Sequence, residues 1–226
     1  MPHYEHIGPA PISPLAREAR VRMRDGVRLA ADVYLPRILP TASVPAENAT
    51  ENATEGVIEG AAEGAAGGVA ANAADAGGFD ETPGDTVLIR LPYDKSGEYT
   101  FIPEIAAYFN AHGYRVVAQD VRGKFRSEGE ALLFVNEVDD GYDTIEWIIN
   151  QSWSNGRVAM WGDSYYGYTQ WAAAASGHPA LKAIAPRVTR TQLGEPVHVT
   201  EHDRTRRVEW AITNLYSLTH FHGNDT

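Results

Sequence analysis

Ser164 is the side chain with the strongest claim to chemistry. It stands in RVAMWGDSYYGYTQWAAAA (157–175), where an apolar run that reads as a strand meets an alanine-rich run that reads as a helix. A serine on a tight strand–turn–helix corner has its hydroxyl pushed clear of the sheet, the layout of a nucleophile elbow. The chemistry would be attack on an acyl carbon. Such a corner crowds its neighbours, so small residues are expected around it. Gly162 lies two residues before Ser164. Two residues after it, Tyr166 stands where the common Gly-x-Ser-x-Gly pattern has glycine, and Gly167 follows. The corner also aims the backbone N–H of Tyr165 at negative charge developing on the acyl oxygen. A second donor should come from the loop after an earlier strand. That loop reads RLPYDKSGEYT (90–100), and the Tyr93 phenol sits just past the strand end.

Other residues carry weaker signals. His198, Glu201 and His202 match the H-x-x-E-H zincin pattern. Two histidines at i and i+4 share a helix face, and the glutamate would activate water. Pro196 and the β-branched neighbours oppose a helix there, and a third ligand is needed. The segment is therefore read as polar surface, with a zinc hydrolase through His198 and His202 as the lesser alternative. Asp203 with His220 or His222 would make a compact triad, but nothing places them after a strand. Asp163 reads as a solvated or structural acid and His178 as a helix-end residue. Trp147, Trp153, Trp161 and Trp171 read as core and pocket wall, and KFRSEGE (124–130) as a solvated loop.

The elements that must position Ser164 alternate. Arg20, Arg22 and Arg24 alternate with Val21 and Met23, Asp25-Gly26 signals a two-residue turn, and Val27, Leu29 and Val33 follow, so 19–36 is a β-hairpin. VLIRLP (87–92), YRVVAQDV (114–121), RVAMWG (157–162) and LKAIAP (181–186) read as strands. Residues 102–112, 138–150 and 165–176 read as helices, the first on the spacing of Ile102, Ile105, Ala106 and Phe109. Strand–helix alternation implies βαβ units, right-handed crossovers and a parallel sheet. Residues 1–18 read as an extended arm. Residues 40–85, built from Ala, Gly, Glu and Asn, lack the large apolar groups that offset ordering entropy and read as a disordered insertion.

Composition narrows the classes. Of 226 residues, 43% are hydrophobic and 10% aromatic, enough for a globular core. No cysteine is present, which excludes disulfides and thiolate chemistry. The net charge of −11 is local: nine acids and no base fall between Thr41 and Thr86, which leaves 21 acids against 19 bases elsewhere. No basic stripe marks a nucleic-acid surface. No apolar run is long enough to span a membrane, and no leader pattern opens the chain, so a cytoplasmic location is expected. The Asn48 and Asn52 triplets match glycosylation acceptors, which that location leaves unused.

Four blocks carry a family resemblance: RLPYDKS (90–96), QDVRGKFRSEGE (119–130), GDSYYG (162–167) with HPALKAIAP (178–186), and the opening RMRDGVRLAADVYLP (22–36). In this order they resemble the X-Pro dipeptidyl-peptidase and cocaine esterase family (CocE/NonD hydrolases, S15 family), whose elbow has the Ser-Tyr-x-Gly form. The resemblance implies an α/β-hydrolase fold, a mostly parallel sheet with an antiparallel N-terminal hairpin, and a core over 19–190. It implies Ser164 as nucleophile, with Tyr93 and the Tyr165 N–H as the oxyanion hole. It implies hydrolysis of an ester or amide in a small-molecule or peptide acyl substrate through an acyl-enzyme, with no cofactor and no metal. Asp120, Arg122 and Gly123 would shape the pocket region. This fold orders its triad Ser, acid, His, with the last two after later strands. Residues 191–226 look like the start of a helical cap, so the acid and base are expected to be missing, along with the C-terminal part of the fold. A non-catalytic hydrolase-like scaffold is the main alternative.

Overall fold

The protein is described by a computed structural model over residues 8–38 and 78–189. By compactness the chain divides into two units, Met1–Pro36 with Asp80–Thr226, and Arg37–Phe79. Of the second unit, residues 37, 38, 78 and 79 are described. There Ile38 N donates to Gly78 O, and the Arg37 guanidinium lies over the Phe79 ring.

The first unit is built on one six-stranded sheet. Its strands are β1 (Arg17–Arg22), β2 (Arg28–Tyr34), β3 (Gly84–Leu91), β4 (Arg115–Asp120), β5 (Ser154–Asp163) and β6 (Leu181–Arg187). The helices are α1 (Ile102–Ala111), α2 (Glu137–Ile149) and α3 (Ser164–Ala175). The spatial order is β1-β2-β4-β3-β5-β6. The first two strands form the expected hairpin, antiparallel to each other and to β4, whereas β4, β3, β5 and β6 run parallel. The hairpin loop is longer than a two-residue turn. Met23 N donates to Val27 O, Asp25 Oδ1 accepts from Val27 N, and Gly26 takes φ +93°. Arg24, within this loop, bonds Asp143 and Asp139 of α2.

From β3 the chain crosses through α1 to β4, towards the hairpin edge. It then returns over β3 through α2 to β5, and continues through α3 to β6. Right-handed crossovers in opposite directions place α1 on one face of the sheet and α2 and α3 on the other. The packing agrees: α1 lies against β4 and β2, while α2 and α3 pack on each other and against β5. Gly141 allows that helix pair to approach, since a Cβ there would lie 3.3 Å from the Cβ of Ala173.

The period of two in the strands divides the core. Val87, Ile89 and Leu91 join Val116, Ala118 and Tyr34 beneath Ile102 and Ala106 of α1. Each buried valine, leucine or isoleucine of this set stabilises the fold by about 1.5–3 kcal/mol. The opposite face of β3 presents Leu88 and Arg90, both fully buried. The apolar run therefore hides an ionic residue, and the site is organised around it.

The segment KFRSEGE departs from the solvated loop expected of it. Lys124, Phe125 and Ser127 are buried. Ser127 Oγ donates to Asp120 O and accepts from Ala30 N, which ties the loop to β2 and β4. Gly123 has φ +69°, and a Cβ there would come within 2.2 Å of Ala131 N. The polar spelling misled because Ser127 and Arg126 bond the backbone of neighbouring segments rather than water alone.

Candidate active site

In a sheet of this kind, a crevice forms outside the carboxyl ends of adjacent strands whose connections leave for opposite faces. Strands β3 and β5 are that pair. The loop after β3 carries Tyr93, and β5 ends at Asp163, next to Ser164. The structure brings the two together: Tyr93 Oη lies 3.2 Å from Ser164 Oγ, a hydrogen bond that either hydroxyl can donate.

The corner holding Ser164 is tight. Asp163 is extended at φ −120°, ψ 174°, and Ser164 turns to φ +53° as the first residue of α3. A non-glycine residue in that left-handed region costs roughly 1–2 kcal/mol. The result is an exposed serine between a buried Gly162 and a buried Tyr165. Gly162 has φ +143°, and a Cβ there would lie 2.0 Å from Cδ2 of Tyr166. The tyrosine that replaces the usual small residue therefore folds its ring back over Gly162. Gly167 brings α3 close to the end of β6, since a Cβ on it would meet Arg187 O at 2.9 Å. Gly162→Ala is expected to destabilise the protein by roughly 1–3 kcal/mol. An unchanged urea midpoint would contradict this packing.

Tyr165 divides its work between backbone and side chain. Its N–H lies in the first turn of α3, where amides have no carbonyl one turn earlier to bond. Its buried phenol donates to Glu137 Oε1 at 2.7 Å and accepts from Phe134 N at 2.9 Å. Burial, and after it the Glu137 charge, push that phenol above its ordinary value, so it remains a donor. Tyr166 stacks edge-on against Tyr93, with ring centroids 6.0 Å apart. Burial and a hydrogen bond with Asp163 also raise its phenol.

The Tyr93 loop is pinned from beneath. Asp94 takes φ +66°, and its carboxylate accepts from Ala10 N and Ser96 N. Tyr99 donates its hydroxyl to Tyr93 O. Lys95 is fully buried, with Nζ 3.1 Å from Asp32 Oδ1 and 3.6 Å from Asp120 Oδ2. Lys95 N donates to Asp120 Oδ1, and Ser96 Oγ donates to Asp32 Oδ2. Asp120 is thus a buried anchor of the Tyr93 loop. Burial pushes its carboxyl up to about 7 although Lys95 pulls it down. Asp32 is raised for the same first cause. Arg122 forms a bidentate pair with Asp140 at 3.0 and 2.6 Å and reaches Asp25 at 2.7 Å.

Sequence reasoning missed Arg90, Lys95 and Glu137. An arginine inside the strand VLIRLP was the available signal, because a buried guanidinium requires a partner. Among the described residues the histidines are His112 and His178, and both are engaged elsewhere. His112 Nδ1 bonds Tyr108 O, and His178 Nε2 lies 3.1 Å from Glu146 Oε2 beyond the end of α3. His198, Glu201, His202, Asp203, His220 and His222 lie outside the described residues. Among those described, no helix is long and apolar enough to cross a membrane.

With this geometry in place, comparison with known proteins is informative. Residues 78–202 match the family model of the X-Pro dipeptidyl-peptidases (S15 family). The chain is 36% identical over 181 residues to a cocaine esterase from Rhodococcus sp. (strain MB1 Bresler), covering 79% of this chain and 24% of that protein. Among solved structures it is similar to an α-amino acid ester hydrolase, with 27% identity, a TM-score of 0.51, and coverage of 80% of this chain and 27% of the other. A hypothetical protein from Pseudomonas aeruginosa shares the fold alone, at 18% identity and a TM-score of 0.51 over 96% of this chain and 58% of its own. The chain spans about a quarter of the length of the cocaine esterase it matches. These likenesses bear out the α/β-hydrolase fold and the resemblance read from the four sequence blocks.

Proposed function

The chain belongs to the X-Pro dipeptidyl-peptidase (S15) family, and from that premise we propose that it carries the nucleophile and oxyanion hole of a serine hydrolase acting on an ester or amide. The observation that carries this reading is the pairing of Tyr93 Oη with Ser164 Oγ at 3.2 Å, at the crevice between β3 and β5.

The steps follow from the groups present. Ser164 Oγ bonds to the acyl carbon while its proton passes to a base. The carbonyl π pair moves onto oxygen. Tyr93 O–H and Tyr165 N–H then donate to that oxyanion, as preorganised dipoles that need no reorientation during reaction. Return of the pair expels the leaving alcohol or amine, which takes the proton from the base. An acyl-Ser164 ester remains, and water attacking it reverses the sequence and frees the acid. The base comes from outside the described residues, since His112 and His178 are held elsewhere. Without a base a serine hydroxyl is a weak nucleophile. The substrate class is a small-molecule or peptide acyl compound, consistent with the aromatic side chains of Tyr93 and Tyr166 beside Ser164.

The test is labelling of the 226-residue chain with a fluorophosphonate beside Ser164→Ala. Labelling that is lost in Ser164→Ala would mean that the chain or a second copy of it supplies the base. Equal labelling of both would remove Ser164 from its role, and no labelling of either would mean that the elbow is catalytically incomplete without the missing acid and base.

A further inference from the structure

One buried carboxylate touches both sides of the Ser164 corner. Glu137 Oε2 lies 2.9 Å from Arg90 Nη1, with side-chain exposures of 4% and 0%. Its other oxygen, Oε1, accepts from Tyr165 Oη at 2.7 Å. Arg90 stands on β3 three residues before Tyr93, joined to it by Leu91 and Pro92, and the proline ring fixes φ in that link. The guanidinium is held further by Gln119 Oε1 at 2.8 Å and by Glu137 O at 3.1 Å. The Arg90 carbonyl accepts from Thr169 Oγ1 at 3.1 Å, on α3 five residues past Ser164. On the far side, Tyr165 is clamped by Phe134, whose N–H bonds its oxygen and whose ring stacks on it with centroids 4.5 Å apart.

We infer that Glu137 is a positioning residue: its carboxylate, through Arg90 on one side and Tyr165 on the other, sets the two oxyanion donors in register around Ser164. The catalytic consequence rests on the reading of Ser164 and Tyr93 given above; the mechanical link does not. Stability alone is a poor account of this pair. A buried ion pair spends most of its attraction on desolvation, and well-packed apolar residues of similar volume would hold the fold as well. What apolar residues cannot do is fix direction. A hydrogen bond from Tyr165 at one carboxylate oxygen and a buried ion pair with Arg90 at the other orient both partners at once.

The test compares Glu137→Gln and Tyr165→Phe with the unsubstituted chain. The first keeps the shape and an acceptor but loses the charge that grips Arg90. The second removes the phenol and leaves the backbone N–H in place. Acylation by the fluorophosphonate should slow roughly 10- to 100-fold in Glu137→Gln, as expected when donors are misplaced by a fraction of an ångström. The reading that separates positioning from support is a cycle with Tyr93→Phe. Removing the Tyr93 hydroxyl should cost several-fold less in the Glu137→Gln background than in the native one. Equal costs would make Glu137 merely structural and overturn the inference.

A second readout needs no activity. With isotope-labelled tyrosine, Glu137→Gln should move both the residue 165 amide and the Tyr93 ring resonances, and the amide should exchange faster. If neither moves, the link is absent and the inference falls. If both move while Ser164→Ala labels as strongly as the native chain, the link stands and the hydrolase reading fails. Should Glu137→Gln not fold, the Tyr93 resonances in Tyr165→Phe decide the question, with a shifted ring supporting the link and an unmoved one overturning it.

Discussion

Tyr93→Phe should lower the rate of Ser164 acylation by roughly 10- to 1000-fold, the range found when one oxyanion donor is removed. The substitution keeps the ring that packs edge-on against Tyr166 and deletes only the hydroxyl 3.2 Å from Ser164 Oγ. Little stability should be lost, because Tyr93 is half-buried and its carbonyl still accepts from Tyr99. The interaction matters most when charge sits on the acyl oxygen, so the acylation rate should fall while the apparent affinity for an uncharged ester stays within about threefold. That split distinguishes a donor to the transition state from a wall of the binding site. Stopped-flow acylation over a range of ester concentrations gives both quantities. A loss confined to affinity would reassign Tyr93 to substrate contact.

The sequence announced Tyr93 and Ser164 because each follows an apolar strand and is marked by backbone-limiting neighbours: Pro92 before the first, Gly162 and Gly167 around the second. Periodicity located α1 and α2, and an alanine-rich run located α3, to within a residue or two of Ile102–Ala111, Glu137–Ile149 and Ser164–Ala175. The buried charges were not legible. Lys95 read as a loop residue, Asp120 as the polar end of a strand, and Lys124 as part of a solvated loop. Their burial depends on partners 25 or more residues away: Asp32 for Lys95, and Lys95 for Asp120. No local pattern encodes that distance. Glu137 stands just before the helix read over 138–150, where a carboxylate complements the helix dipole and no local pattern marks it as buried. Only the parallel pairing of β3 with β5 and β4 brings Arg90 under it.

The same topology explains why these charges are paired as they are. The crevice between β3 and β5 needs two loops held still, yet loops have little apolar surface with which to anchor themselves. The Tyr93 loop is anchored by Lys95 between Asp32 of the hairpin and Asp120 of β4. The corner at Ser164 is anchored by Tyr165 on Glu137. Directional bonds to strands and helices replace the packing that a loop cannot supply. The hairpin thereby gains a role at a distance from the serine, since Asp32 lies on β2.

Lys95→Met tests the first of these anchors, and its largest effect should be on stability at neutral pH. The thioether fills a similar volume but leaves Asp32 and Asp120 buried without a cation. Breaking a buried ion pair in this way costs about 3–5 kcal/mol. The pH dependence has a definite sign. In the native protein burial raises Asp120 from 3.8 to about 7 and also raises Asp32. The folded state therefore holds more protons than the unfolded chain between about pH 4 and 7. Stability falls as pH rises through that interval and levels off above it. Without the Lys95 ammonium, which lowers both carboxyls, their values climb further. The decline in Lys95→Met should then continue beyond pH 7, so the gap to the native protein is widest at pH 9 and narrowest at pH 5. Urea unfolding at pH 5, 7 and 9 reads all three points. A constant gap across them would mean that Lys95 contributes packing alone, and that the Tyr93 loop is held by its backbone turns rather than by charge.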